Sequence, residues 1–237
     1  MRKDGRENQQ IRETKVTPDY IKKVPASVLI EQGDTRVLCT ATYESRVPHF
    51  LKGGNKGWIQ AEYSMLPGST GNQRMNRERQ RVNNRSIEIQ RFIGRALRTM
   101  FNLKKISGMT IYIDTDVLQA DGGTRCASVN GGMLAVVKVL RHLVFENLMA
   151  ELPEIELLAA VSIGVKGNEL LADLTYQEDF KADADISIIS TEKGNIVEVE
   201  TFAEEHTIPS EIFRAAIDLG IEKNLEIIEN LKQYVTI

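Results

Sequence analysis

The chain has 237 residues, 42% hydrophobic and 27% charged, with a formal net charge of −3. That is the composition of a globular protein with a core of its own, and it excludes both a disordered polyelectrolyte and a generic binder of polyanions. No apolar run approaches the roughly 20 residues that span a bilayer, and the start, Met1-Arg2-Lys3-Asp4-Gly5-Arg6, lacks the apolar core of a signal peptide.

The first elements in chain order are two strands at 27–30 and 35–42, joined by a hairpin turn at Gly33-Asp34. Residues 47–56 read as a loop, with Pro48 and the Gly53-Gly54 pair, and 58–65 as a third strand. Residues 68–84 are polar and carry Arg74, Arg77, Arg79 and Arg81, with little beyond Met75 and Val82 to anchor them, so they read as a mobile loop. A helix follows over 85–100, with Ile89, Ile93, Leu97 and Met100 on one face and Arg91, Arg95 and Arg98 on the other. Residues 110–117 alternate as a strand, 119–124 turn, and 125–148 form a long helix. Strands are predicted at 157–165, 170–175, 184–191 and 196–201. Pro209-Ser210 opens a last helix to about residue 234, with Phe213, Ile217, Ile221, Leu225 and Ile228 as its apolar face. The order predicts an α+β fold and excludes a Rossmann fold, which needs strict alternation of strand and helix. A second sheet-and-helix lobe begins near residue 157.

Charge is unevenly spread. Residues 72–105 hold ten Arg or Lys against two acids, and residues 192–237 hold ten acids against four bases. A basic segment on a mildly acidic chain implies one localised anion-binding surface, and mobile arginines suit a nucleic-acid backbone. Cys39 and Cys126 lie far apart without C-x-x-C spacing. They read as buried thiols in a reducing compartment, with the cytoplasm as the expected location. His49, His142 and His206 show no metal-ligand spacing.

Three patterns carry chemistry. Asp121-Gly122-Gly123-Thr124-Arg125 lies between a strand and a helix. Glycines there allow close backbone approach to an anion, and the helix N-terminus presents free N–H groups and a positive dipole end. Thr124 adds a hydroxyl and Arg125 a forked cation matched to phosphate oxygens. The bland alternative is a capped helix after a glycine turn. Arg85, after Asn83-Asn84, stands at a second helix start; taken alone, an arginine there is more often a solvated residue. Asp173, Glu178, Asp179, Asp183 and Asp185 form an acidic set suited to Mg²⁺ or Mn²⁺, or else a solvated acidic loop. If 184–191 is a strand, Asp183 and Asp185 share one of its faces.

The longer motifs are similar to one family. Arg2-x-Asp4-Gly5-Arg6, Glu44-x-Arg46-Val47-Pro48, Lys56-Gly57-Trp58-Ile59, the run from Ala61 to Pro67, Ile87-Glu88-Ile89-Gln90-Arg91 and Gln119-Ala120-Asp121-Gly122-Gly123-Thr124-Arg125 resemble ribonuclease PH, in order. The likeness is dense to about residue 135 and thinner from 11 to 24. The resemblance implies a single domain with an N-terminal lobe over about 1–150 and a C-terminal lobe over about 151–237. Each lobe would be a β-α-β-α unit with a mixed sheet, and the chains would assemble into a hexameric ring. It also implies a phosphate-dependent 3′-to-5′ exoribonuclease that trims precursor tRNA and other RNA, with no role for DNA or membrane. Arg85, Gly123, Thr124 and Arg125 would then bind inorganic phosphate as co-substrate. Asp179 and Asp185 would be catalytic or bind the metal, and Arg74, Arg77, Arg79 and Arg81 would contact RNA. A catalytically inactive RNA-binding ring subunit is the alternative. The family has a glycine-rich stretch before a Glu-Glu pair where this sequence reads Glu200-Thr201-Phe202-Ala203-Glu204-Glu205, a change that could fill space beside the site.

Overall fold

A computed structural model describes residues 2–71, 74–76, 83–203 and 207–235. Its elements run β1 (Thr14–Pro18), β2 (Ala26–Gln32), β3 (Thr35–Glu44), β4 (Trp58–Met65), α1 (Asn84–Leu97), β5 (Thr110–Gln119), α2 (Thr124–Phe145), β6 (Leu158–Lys166), β7 (Glu169–Ala172), α3 (Tyr176–Asp179), β8 (Ala184–Thr191), β9 (Ile196–Ala203) and α4 (Ser210–Val235). The first sheet has the order β1-β2-β3-β5-β4 and the second β7-β6-β8-β9. Mixed pairing is confined to the first sheet, where β4 runs parallel to β5. The second is antiparallel throughout. The α+β expectation holds.

The hairpin between β2 and β3 turns where expected, with Gln32 opposite Thr35 and Gly33 at φ +56°. β5 alternates as predicted: Ile111, Ile113, Thr115 and Val117 are buried, while Tyr112, Asp114 and Asp116 on the opposite face are partly exposed. On α1, Ile89, Ile93 and Leu97 are buried together with Phe92 and Ala96, and Met100 is buried just beyond the helix end.

The helix α2 holds the molecule together. It packs on β2, β3 and β5 of the first sheet and on β6 of the second. It is buried on nearly every side, which explains its apolar composition all round. By length and composition it could cross a membrane, but most of it is buried inside the protein. Gly131 lets it approach the first sheet closely, since a Cβ there would lie 2.6 Å from the Cys39 sulfur. Asn130 stitches it to both sheets. Its Nδ2 donates to the Ala160 carbonyl at 3.0 Å and to Gln32 Oε1 at 3.2 Å, and its Oδ1 accepts from the Ala160 N–H at 2.8 Å. Because α2 is fixed along its length, its N-terminus is a rigid platform.

One strand is unpredicted and two expectations are corrected. β1 pairs with β2 although nothing in 14–18 announces a strand; it is an edge strand whose alternate residues face solvent. β7 ends at Ala172 rather than 175, because Asp173 takes a left-handed backbone with φ +54°. The buried face of α4 is Ala216, Leu219, Gly220, Lys223, Asn224, Ile227, Ile228 and Leu231, so of the predicted stripe only Ile228 is on it, and Leu225 is exposed. The helix is rotated because Asn224 donates to the Ile188 carbonyl and to Ser190 Oγ, both at 3.0 Å. Gly220 also admits Ile188, to which a Cβ would come within 2.5 Å. Polar and small residues set that contact, and a count of apolar residues does not register them.

Candidate active site

The turn before α2 is pinned from three directions. Thr35 Oγ1 donates to the Gly122 carbonyl at 2.7 Å and accepts from the Asp121 N–H at 3.0 Å. Arg12 Nη1 donates to the Asp121 carbonyl at 2.6 Å. The Tyr176 N–H donates to Asp121 Oδ1 at 3.1 Å. Gly122 and Gly123 have φ of +73° and +64°, in the region that disfavours L side chains. A Cβ at Gly122 would also lie 2.4 Å from the Leu174 carbonyl oxygen. These glycines therefore let the loop after β7 sit directly on the turn.

Among the described residues no side chain caps α2, whose N-cap is Gly123, which leaves its first amides and positive end available to an anion. Thr124 Oγ1 is 2.9 Å from the hydroxyl of the buried Tyr63, on β4. Burial raises the Tyr63 pKa, opposed in part by Thr124, Arg85 and Arg125, so the phenol stays protonated and orients the threonine hydroxyl. Tyr63 is a site residue that the spacing of polar residues did not single out.

Arg85 is exposed on the first turn of α1, which Asn83 caps by accepting from the Ser86 N–H at 2.7 Å. Arg85, Gly123, Thr124, Arg125, Asp179 and Asp185 all line one cavity of about 830 Å³. Asp179 ends α3 and Asp185 is the second residue of β8. Asp185 is half-buried as a residue, but its Oδ1 is enclosed with no hydrogen-bond partner among the described residues. Burial, then Asp179, push its pKa up to about 7, against the pull of Arg125 and Arg85. The two arginines from separate helices and the two carboxylates therefore share one electrostatic environment.

The acidic set divides. Asp179 and Asp185 face the cavity, whereas the other three acids are engaged elsewhere. Asp173 is buried against Arg12, accepting from Nη2 at 2.6 Å and from Nε at 2.9 Å. Glu178 pairs with Arg2 at 2.6 Å. Asp183 precedes β8 and accepts from the Gly167 N–H at 2.6 Å, so it does not share a strand face with Asp185. The N-terminal segment thus clamps the loop carrying Asp179 to the turn carrying Gly123. Arg2, Arg6 and Arg12 all contact that loop.

An enclosed carboxylate oxygen without a donor, beside a second carboxylate, fits a hard divalent cation. Among the described residues no group of three or more His, Cys, Asp or Glu could hold a metal. Remaining ligands would have to be water and substrate oxygens, the usual arrangement for Mg²⁺.

The basic segment is partly described. Arg74 is exposed, 3.5 Å from Asn76 Oδ1, and Thr70 and Met75 reach the cavity. Arg77, Arg79 and Arg81 lie outside the described residues. Arg95 and Arg98 are engaged internally: Arg95 bonds to Glu198, and Arg98 donates to the Ile59 carbonyl at 3.0 Å and stacks over Trp58. Phe202, at the altered stretch, lines the cavity, 5.2 Å from ring centre to the Arg125 guanidinium carbon. Glu204 and Glu205 lie outside the described residues. Both cysteines are buried thiols, and burial pushes Cys126 up to about 12.

Comparison with known proteins decides the family. The model of the 3′ exoribonuclease family matches in both parts, domain 1 over residues 10–140 and domain 2 over residues 156–223. The chain belongs to the 3′ exoribonuclease family of ribonuclease PH. It is 47% identical over 228 residues to ribonuclease PH of Exiguobacterium sibiricum, covering 95% of this chain and 90% of that protein. It is 44% identical over 233 residues to ribonuclease PH of a Geobacillus species, covering 96% and 91%. Among solved structures, rice Rrp46 matches with a TM-score of 0.80 at 17% identity over 100% of both chains. An Archaeoglobus fulgidus exosome with RNA bound to the active site matches with a TM-score of 0.81 at 22% identity, covering 97% and 92%. These two establish likeness of fold. Arg85 and the Gly123-Thr124-Arg125 turn line one cavity.

Proposed function

We propose that the chain is a phosphate-dependent 3′-to-5′ exoribonuclease in which Arg85, Thr124, Arg125 and the amides at Gly123 hold the attacking phosphate. The observation that carries this reading is convergence. Two forked cations, an uncapped helix N-terminus and two carboxylates from four separate segments line the same cavity.

Phosphate attacks the terminal internucleotide phosphorus. The bond to the 3′ oxygen of the preceding nucleotide breaks, a nucleoside diphosphate leaves, and the RNA is shortened by one residue. Arg85 and Arg125 fix the nucleophile and oppose charge on the equatorial oxygens, where most phosphoryl-transfer catalysis arises. Thr124, oriented by Tyr63, adds a hydroxyl contact. A Mg²⁺ or Mn²⁺ held by Asp179 and Asp185 would supply further neutralisation of phosphate charge. Without a cation, burial and the neighbouring Asp179 raise the Asp185 pKa to about 7, so the bare site disfavours two adjacent negative charges. Arg74, together with Arg77, Arg79 and Arg81, would guide the RNA backbone to the cavity. Retention of both arginines and both aspartates favours an enzyme over an RNA-binding subunit without catalysis.

RNA with a free 3′ extension, incubated with and without phosphate, tests this directly. Nucleoside diphosphates should form only when phosphate is present. Monophosphates released without phosphate would mean hydrolysis and remove the proposed role of the cationic pocket.

A ring of several copies, a hexamer in its fullest form, belongs to the same reading. Relatives of this fold form exosomes, and Phe50, Phe145 and Leu148 are exposed on the single chain. Light scattering should give the mass of six chains; a monomer at micromolar concentration would contradict the ring.

A further inference from the structure

We propose that Glu200 is an internal competitor for phosphate: its carboxylate occupies the Arg125 fork that the incoming phosphate needs, and so sets the phosphate concentration at which the enzyme works. This rests on the reading of Arg125 as a phosphate ligand.

Arg125 Nη1 donates to Glu200 Oε2 at 2.8 Å, and Glu88 Oε1 lies 3.6 Å from the same nitrogen. The pair is well shielded, with side-chain exposures of 15% for Arg125 and 18% for Glu200. Arg95 backs Glu200 from the other side, its Nη2 3.3 Å from Glu200 Oε1, while also bonding to Glu198. Phe202, two residues along β9, lies against the Arg125 guanidinium.

Three carboxylates, Glu88, Glu198 and Glu200, thus share two guanidinium groups. The crowding leaves Glu200 imperfectly stabilised: burial raises its pKa, Arg125 and Arg95 lower it, and Glu198 and Glu88 raise it. A phosphate anion entering the cavity meets a fork already half taken by a carboxylate. Either Glu200 withdraws toward Arg95, or phosphate binds with one edge of the fork blocked and a like charge beside it. Both lower phosphate affinity without touching the RNA path.

The opposite role is also physically defined. If Glu200 serves to hold Arg125 in its working orientation, removing it would weaken phosphate binding.

Steady-state phosphorolysis, with the KM for phosphate and for RNA measured separately, separates the two. In Glu200→Gln, which keeps shape and removes charge, the phosphate KM should fall roughly three- to tenfold, the range for a shielded but not fully buried ion pair. The RNA KM should stay within about twofold of the parent. Glu200→Thr, a residue suited to a strand, should move the phosphate KM the same way. Glu198→Gln removes an equal charge from the same strand but from Arg95, and should shift the phosphate KM less. A phosphate KM unchanged or raised in both Glu200 variants, with melting temperatures near the parent, overturns the competitor. Arg125→Gln separates the two layers. If its phosphate KM rises steeply while the Glu200 variants show no fall, only the competitor is wrong. If its phosphate KM does not move, Arg125 is not a phosphate ligand.

Discussion

Asp185→Asn should lower the turnover number by roughly two to four orders of magnitude, the range spanned by loss of a positioned acid–base or electrostatic group. RNA binding should change little, because the arginines remain. The same variant should make the metal-free protein more stable at neutral pH. Asp185 has a pKa raised from 3.8 to about 7 by burial and by Asp179. A carboxyl with a raised folded-state pKa binds its proton more tightly when folded. Its protonated form is compatible with folding below the unfolded value, and that stability is lost as pH rises through the folded value. In chelator, the melting temperature of Asp185→Asn should therefore exceed that of the parent by a margin that grows from about pH 4 to about pH 7 and then levels. A substitution that lowers stability at every pH would show that the enclosed Oδ1 has a partner it needs.

The largest effect on stability is expected at the clamp. Arg12 and Asp173 are both buried, at 6% and 5% exposure. Their contact is bidentate, and the Arg12 backbone N–H adds a third bond to Asp173 Oδ2 at 2.8 Å. Arg12→Ala leaves the Asp173 carboxylate with the backbone N–H of residue 12 and, as its nearest cation among the described residues, Arg6 at 3.8 Å. Breaking one side of such a pair costs about 3–5 kcal/mol, because a buried charge is left uncompensated. Denaturant unfolding should show this loss, and Asp173→Asn in the same chain should recover part of it. Full additivity of the two changes would mean that the pair is not coupled. Burial acts to raise the Asp173 pKa, but the bonds and charge of Arg12, with Arg6, hold it below the ordinary carboxylate value. Glu178, likewise bound by Arg2, is lowered to about 2. Depressed folded-state values stabilise above the unfolded pKa, so this support is lost as pH falls from about 4.5 through 2. Arg12→Ala should flatten that acid limb. Because the clamp also sets Asp179 beside the Gly123 turn, the variant should lose activity under conditions where it is still folded.

The legible parts of the protein were those whose signal is local. A glycine pair at positive φ followed by a threonine and an arginine at a helix start can be read without knowing what surrounds it, and Gly122, Gly123, Thr124 and Arg125 stand where that pattern implies. The alternation in β5 and the apolar face of α1 were readable for the same reason. Partnerships between distant residues were not. By composition and spacing alone, Asp173, Glu178 and Asp183 look the same as Asp179 and Asp185, and only the resemblance to ribonuclease PH set the last two apart. What the other three do follows from distant or folded-back partners, 161 residues away for Arg12 and 176 for Arg2. The same holds for Arg95 and Arg98, which face solvent on a helical wheel but are taken up by Glu198 and by Trp58 with the Ile59 carbonyl. α4 shows the limit of apolar periodicity: buried Asn224 and Gly220 rotate its contact face away from the most hydrophobic stripe. The motif block holding Tyr63 marked a stretch of importance, but its hydroxyl contact with Thr124 follows only from the packing of β4 against the start of α2.

A crystal structure of the protein grown with inorganic phosphate is the most direct examination of the cationic pocket. The anion should sit in the cavity within hydrogen-bond reach of both the Arg85 and Arg125 guanidinium groups and of the amides opening α2. Phosphate bound elsewhere, with Arg85 turned away from residues 123–125, would contradict the site.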